Sequence, residues 1–187
     1  MPKIIENLRQ RLVEEARRQV NECGYTAMTI RSVAAGCGVG IGTVYNYFSS
    51  KDALVASFML EDWQKSIQLI RAASEESRSA TAVFHCIYRQ LQEFTEQYQA
   101  IFADESAVGS FSGSPSPYHS LLRAQLAAPL RPFCHDDFAA EFAAEGLLTW
   151  TMAGRPFDQI WTVMGRLFDE ENQTDFNVKG ENHHVQL

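Results

Sequence analysis

The sequence predicts an all-α protein, an N-terminal three-helix head followed by a larger helical body, about nine helices in all. Three observations carry this. Apolar residues recur at intervals of three and four along most of the chain, as on the buried face of a helix. Capping residues and glycines punctuate those stretches where helices would begin and end. With 45% hydrophobic residues in 187, the chain is not a disordered tail and is long enough to bury a substantial core.

The first helix is expected over about residues 3 to 23, where Ile5, Leu8, Leu12, Ala16 and Val20 share a face, and Gly24 stops it. Tyr25 and Met28 then tuck it against the next two helices. Arg9, Arg11, Arg17 and Arg18 read as a solvated face, while Lys3 lies where a flexible start could reach a phosphate.

The stretch from Thr29 to Leu54 organises the rest. Thr29 can cap a short helix with Ile30, Val33 and Ala34 on one face. Gly38 ends it by the left-handed turn that glycine adopts without strain, and Val39 plugs the turn. A second helix begins near Gly40; Val44, Phe48 and one side of Tyr45 pack inward and leave Ile41, Thr43, Asn46 and Tyr47 outside. Ser49 and Asp52 fit a capping box that opens a third, longer helix.

Two short helices joined by a glycine turn form a helix-turn-helix, whose second helix enters the DNA major groove. The runs Thr29-Ile30-Arg31-Ser32-Val33-Ala34, Gly38-Val39 and Gly42-Thr43-Val44-Tyr45-Asn46-Tyr47-Phe48-Ser49-Ser50-Lys51-Asp52-Ala53-Leu54 resemble the N-terminal domain of TetR-family transcriptional regulators. The likeness covers roughly a quarter of the chain. An ordinary helical hairpin in a core is the competing reading; it does not account for a dozen positions agreeing in register, caps included.

From Lys51 a rod-like helix continues to about Ser74 through Leu54, Phe58, Trp63, Ile67 and Ile70, and the polar run Glu75 to Ser79 breaks it. A fifth helix is expected from about Ala80 to Ala103, with Phe84, Ile87, Tyr88, Leu91, Phe94, Tyr98, Ile101 and Phe102 as an aromatic-rich stripe. Asp104 to Val108 adds at most a short turn, and Gly109 to Pro117 is loop by composition. A helix beginning near Pro117 or Tyr118 puts Leu121, Leu122, Leu126 and Leu130 inside and ends at Arg131-Pro132.

The last two helices read as a pair. Asp136 or Asp137 caps the first, Gly154 ends it, and Pro156 suits the first turn of the second. Their faces, Phe138, Phe142, Gly146 and Trp150 on one and Ile160, Trp161, Met164, Leu167 and Phe168 on the other, suit either a four-helix bundle made by two chains or the chain's own core. The resemblance implies the first, a homodimer. The expected domains are therefore 1–50 for DNA binding, 51–172 for ligand binding and dimerisation, and 173–187 as a polar tail.

Charge fits a DNA-facing head. The net charge is −7, yet residues 1–51 carry seven Lys or Arg against four Glu, a balance of +3, and the remainder sums to −10. Phosphate binding needs a local positive surface, not a basic whole. No apolar run approaches membrane-spanning length and the N-terminus has no signal-peptide layout, so a cytoplasmic protein is expected. Cys23, Cys37, Cys86 and Cys134 are scattered, and neither they nor the isolated His183-His184 suggest a metal site or a cofactor. No Gly-rich phosphate loop, Gly-x-Ser-x-Gly elbow or His-Glu-x-x-His motif points to an enzyme, and His85 and His119 stand alone.

The roles that the resemblance implies are specific. Thr29 and Arg31 belong to the DNA-binding set, Arg31 as a contact to a guanine edge. Thr43, Tyr45, Tyr47 and Lys51 look like phosphate contacts, although Tyr45 is equally readable as core. Ile41 and Asn46 lie at outward positions suited to sequence choice. A two-fold dimer then matches a palindromic operator. The aromatic excess of the body suggests a pocket for a small lipophilic effector, lined from Trp63, Ile67, Phe84, Tyr88, Leu91, Phe94, Tyr118, Leu122 and Leu126, with His85 or Arg89 as polar anchors; ordinary core is the alternative. The function expected is a repressor that releases DNA when the effector binds. Its rivals are an architectural DNA-binding protein without a ligand and, last, a helical enzyme or interaction module.

Overall fold

A computed structural model describes residues 7–104 and 117–168. The expectations for Lys3, Ile5, the loop from Gly109 and the tail from residue 173 lie outside them, as do the side chains of Tyr118 and Leu167. Within them are nine α-helices: α1 (Leu8–Ala27), α2 (Ile30–Cys37), α3 (Ile41–Tyr45), α4 (Lys51–Glu76), α5 (Ala80–Gln97), α6 (Gln99–Phe102), α7 (Pro117–Leu130), α8 (Asp137–Met152) and α9 (Phe157–Met164). Two 3-10 turns, Arg131–Phe133 and Gly165–Leu167, and an isolated bridge between Cys134 and Phe168 complete the described structure. No described helix is long and apolar enough to cross a membrane.

The chain packs as two compact units. Among the described residues the first takes in 7–64 and 97–104, and so α4 as far as Gln64. Its core is the face read from the sequence: Leu8, Leu12, Ala16 and Val20 of α1 are buried, with Tyr25, Met28, Val33, Val44 and Phe48. Gly24 interrupts α1 where the sequence places the stop. Its backbone leaves helical geometry (φ 84°, ψ 166°), and a separate short turn to Ala27 follows with Tyr25 buried. The cap of α4 forms one residue later than the capping-box reading: Ser50 Oγ accepts from Ala53 N at 3.0 Å, and Asp52 instead accepts from the Tyr25 hydroxyl.

Among the described residues the second unit comprises 65–96 and 117–168. Phe84 on α5 is wholly buried and meets three rings of its own chain, with centroids 6.1 Å from Phe157, 5.1 Å from Trp161 and 5.6 Å from Phe168. α7 packs along α8. Leu126 and Leu130 are inside as expected, but Leu121 is exposed and Leu122 only partly covered, because the buried face of α7 is narrower than its leucines suggest. Asp136 caps α8, accepting from Ala139 N at 2.7 Å. Gly154 (φ 72°) ends it in a paired turn: Arg155 N donates to Trp150 O and Gly154 N to Thr151 O, each at 2.9 Å, which satisfies two carbonyls a helix end leaves open. The fifth helix divides at Tyr98 (φ −109°, ψ 14°), and the last helix tightens into a 3-10 turn after Met164.

Candidate nucleic-acid interface

The head holds out a surface by fixing what lies beneath it. Thr29 Oγ1 accepts from Ser32 N and Ser32 Oγ accepts from Thr29 N, both at 3.0 Å, so α2 starts in a closed capping box. Ser32 Oγ also donates to Gln19 Oε1 (2.5 Å), and Gln19 donates to Glu15 (2.7 Å), where Arg18 adds two further bonds. Arg18 and Gln19 together hold the Glu15 carboxyl down at about 2. A chain of polar groups thus ties α1 to the first turn of α2. At the other end, Gly38 takes φ 69° and Arg11 donates to Cys37 O. The Cys37 thiol donates to Arg11 O, and burial, then Glu15, pushes it above the ordinary thiol range.

On this base α3 buries Val44, with Phe48 just beyond it, and turns Tyr45 (53% exposed) and Tyr47 (47%) outward, along with Ile41 and Asn46. Thr43 is half-covered, and Arg31 on α2 is exposed. The open question over Tyr45 has a geometric answer: the ring is not core. Thr29 is exposed, with its hydroxyl committed to the cap. Lys51 is placed differently from the rest. Its ammonium sits 4.0 Å from the Tyr25 ring centroid and 3.4 Å from Thr26 O, and burial lowers its pKa against the opposing pull of Asp104 and Asp52.

The arginines of α1 are not one solvated face. Arg18 is, pairing with Glu15 and Glu22 on its own helix. Arg17 instead pairs with Asp62 of α4 and lies 5.0 Å from the Phe58 ring centroid, and Asp62 also accepts from Tyr98 (2.6 Å) and Gln97 (2.9 Å). This Asp62 hub went unread because its members lie 35 to 45 positions apart.

The residues expected around an effector fare unevenly. Trp63, Ile67, Phe84, Tyr88, Leu91 and Leu126 are buried, and Phe94 and Leu122 partly so. His85 and Arg89 stand on the exposed side of α5, His85 edge-on to Phe157 at 4.6 Å and Arg89 paired with Glu93 at 3.0 Å. A surface depression of about 310 Å³ lies elsewhere, lined by Trp150, Arg155, Gln159, Ile160, Val163 and Met164. Of the residues expected at a dimer face, Phe138 (73% exposed), Phe142 (50%) and Trp150 lie outside. Gly146, Ile160, Trp161, Met164 and Phe168 are buried in their own chain; a methyl group on Gly146 would collide with the end of Met164.

Known proteins share both the head and the fold. The model of the family described as bacterial regulatory proteins, tetR family, matches residues 12–58. The HTH-type transcriptional regulator UidR of Escherichia coli is 28% identical over 67 residues, 36% of this chain and 34% of that protein. The HTH-type transcriptional repressor DhaR of a Mycobacterium species is 28% identical over 120 residues, 64% of this chain and 58% of that one. The chain thus spans about a third of UidR and under two thirds of DhaR. The crystal structure of Thermus thermophilus FadR, a TetR-family repressor in complex with lauroyl-CoA, superposes with TM-score 0.60 at 19% identity, covering 85% of this chain and 92% of that one. The multidrug binding protein EbrR, complexed with imidazole, does so with TM-score 0.61 at 18% identity, covering 86% and 89%. The likeness to the tetR family of bacterial regulatory proteins thus rests in the head, residues 12–58, and what the chain shares with the solved structures over most of its length is the fold.

Proposed function

We propose that this chain is a ligand-responsive transcriptional regulator, a homodimer that represses by binding a palindromic operator and releases it when a small lipophilic effector binds. The observation that carries the reading is the outward surface of α3 and the turn that follows it: Ile41, Tyr45, Asn46 and Tyr47 exposed over a buried Val44 and Phe48. Aromatic hydroxyls and an amide on a short helix suit phosphate and base-edge contacts respectively. Arg31, exposed one residue into α2, is the candidate guanine reader. Thr43 and, after a swing away from Tyr25, Lys51 complete the phosphate set.

Selection of bound sequences from random DNA tests this directly, and a palindrome is the expected product. On that operator Arg31→Ala should weaken binding by about 10-fold or more and relax preference at one position per half-site. Loss that is equal on every sequence would make Arg31 a phosphate clamp only, and failure to select any sequence would end the operator reading.

Self-association is supported by Phe138, Phe142 and Trp150 on the outer side of α8, with Met152 and Val163 exposed beside them. The effector reading draws on the lauroyl-CoA carried by the FadR structure and on the buried aromatic residues of the body. A ligand-free regulator is favoured by one observation: Phe84 and Tyr88 are already occupied, the first by three rings and the second by a hydroxyl bond to Arg155 O at 3.1 Å. Titrating acyl-CoA against the selected operator separates the two. Effector and DNA must weaken each other by the same factor, and an unchanged operator affinity with ligand bound would discard the coupling.

A further inference from the structure

We infer that Glu145 and His119 make self-association take up protons, so that the dimer tightens as pH falls. The inference rests on the homodimer reading above. Positions 138, 142, 145, 149 and 152 fall on one face of α8, and Phe138, Phe142, Thr149 and Met152 there are all exposed. Glu145 therefore puts a carboxylate in the middle of the apolar face a second copy would cover.

Its surroundings decide what covering it does. His119 reaches across from α7 and sets Nε2 3.0 Å from each Glu145 carboxylate oxygen. Thr149 Oγ1 donates to the same carboxylate at 3.3 Å, and Arg123, one turn along α7, brings Nη1 to 3.9 Å. Glu141, one turn earlier on α8, is a further carboxylate on that helix. The His119 and Glu145 side chains are 33% and 39% exposed, so in a lone protomer water still screens both. A second copy removes that water. A neutral imidazole then supplies one hydrogen bond and leaves the negative charge buried, whereas an imidazolium cancels it. Arg123 is farther away and only partly offsets the charge. Covering the face thus favours the protonated ring, and by linkage whatever protonates the ring favours the covered face. Histidine is the side chain whose charge can change between mildly acidic and mildly basic solution, so the effect is sought there.

The test is the dimer dissociation constant of the full chain, free of DNA, by sedimentation velocity from pH 8 to pH 6. Where the dimer is too tight for that, exchange of fluorescently labelled subunits gives the same ordering. The wild type should bind itself more tightly at pH 6 than at pH 8, by about 10-fold or more, because a two-fold dimer covers two such pairs and each takes up protons on association. His119→Gln, which keeps a side-chain donor, and Glu145→Gln, which removes the charge, should each flatten the dependence to less than about 2-fold. A merely structural role for the pair would change affinity without changing its slope with pH. A wild-type dimer of constant affinity, or a His119→Gln dimer that keeps the full slope, overturns the inference. A chain that stays monomeric at every pH removes the homodimer reading itself, and the coupling with it.

Discussion

The head and the body hold themselves together in different ways. In the unit that carries the helix-turn-helix, the contacts between elements that specify orientation are polar: the chain from Thr29 through Ser32, Gln19 and Glu15 to Arg18, the Asp62 hub, the Tyr25–Asp52 bond, and Thr26 donating to Asp104 at 2.5 Å. In the second unit the central contacts are rings, Phe84 among Phe157, Trp161 and Phe168, with Phe157 and Trp161 stacked at 6.2 Å. Hydrogen bonds constrain angle, while apolar packing mainly fills volume. On the regulator reading proposed above, a surface that meets a duplex in one register needs the first kind of restraint, and a body that changes ligands or partners can be built on the second.

The largest expected effect lies in the body. Phe84→Ala removes a wholly buried ring and should cost about 3–5 kcal/mol in urea unfolding, from lost burial and the cavity left behind. Helix caps in the head should be unaffected. If the cost falls below about 1 kcal/mol, the ring cluster is loosely packed, the contrast with the head weakens, and a ligand cavity at Phe84 gains support.

Next comes the head. Asp62→Ala strips Arg17, Tyr98 and Gln97 of a shared acceptor and should cost about 2 kcal/mol, with Asp62→Asn recovering part of it. Burial, then Asp62, pushes the Tyr98 phenol above its ordinary range, so Tyr98 remains a donor at any pH of interest. Operator affinity measured alongside stability sharpens the comparison. Were Asp62→Ala to lose stability with no change in DNA binding, the hub would serve the unit's cohesion and not the orientation of α3.

These restraints differ in how far they could be read from the chain. Caps and turns were legible because they depend on neighbours: Thr29, Gly38, Asp136 and Gly154 act within a few residues of themselves. The outward set of α3 was legible for the same reason, since Val44 and Phe48 fix which side faces in. Arg17 was misread as solvated because nothing near it announces Asp62, 45 positions on. Apolar spacing on the last two helices gave faces without saying which chain covers them. Ile160, Trp161 and Met164 turned into their own unit, while Phe138 and Phe142, with identical periodicity, did not. Leu121, expected inside, is exposed in the same manner: helical period defines a direction, and tertiary packing decides how wide the buried sector is.

The smallest effect tests the polar side of the comparison through pH. Glu15 titrates at about 2 in the folded chain, against 4.5 unperturbed, because Arg18 and Gln19 bond its charged form. A depressed carboxylate stabilises the fold at every pH above its unfolded value, and that contribution disappears as pH falls from about 4.5 through about 2, where protonation severs both bonds. Arg18 is half exposed, so solvent screening keeps the amount small. Glu15→Gln cannot ionise and should lose this part of the acid limb: the difference in urea midpoint between wild type and variant should be largest near pH 5 and shrink toward pH 2. A difference that stays constant across that range would mean that the bonds from Arg18 and Gln19 do not distinguish the charged carboxylate from its neutral isostere. The tie between α1 and Ser32 would then be a matter of shape, as the ring cluster of the body is, and the contrast between the two units would be one of composition alone.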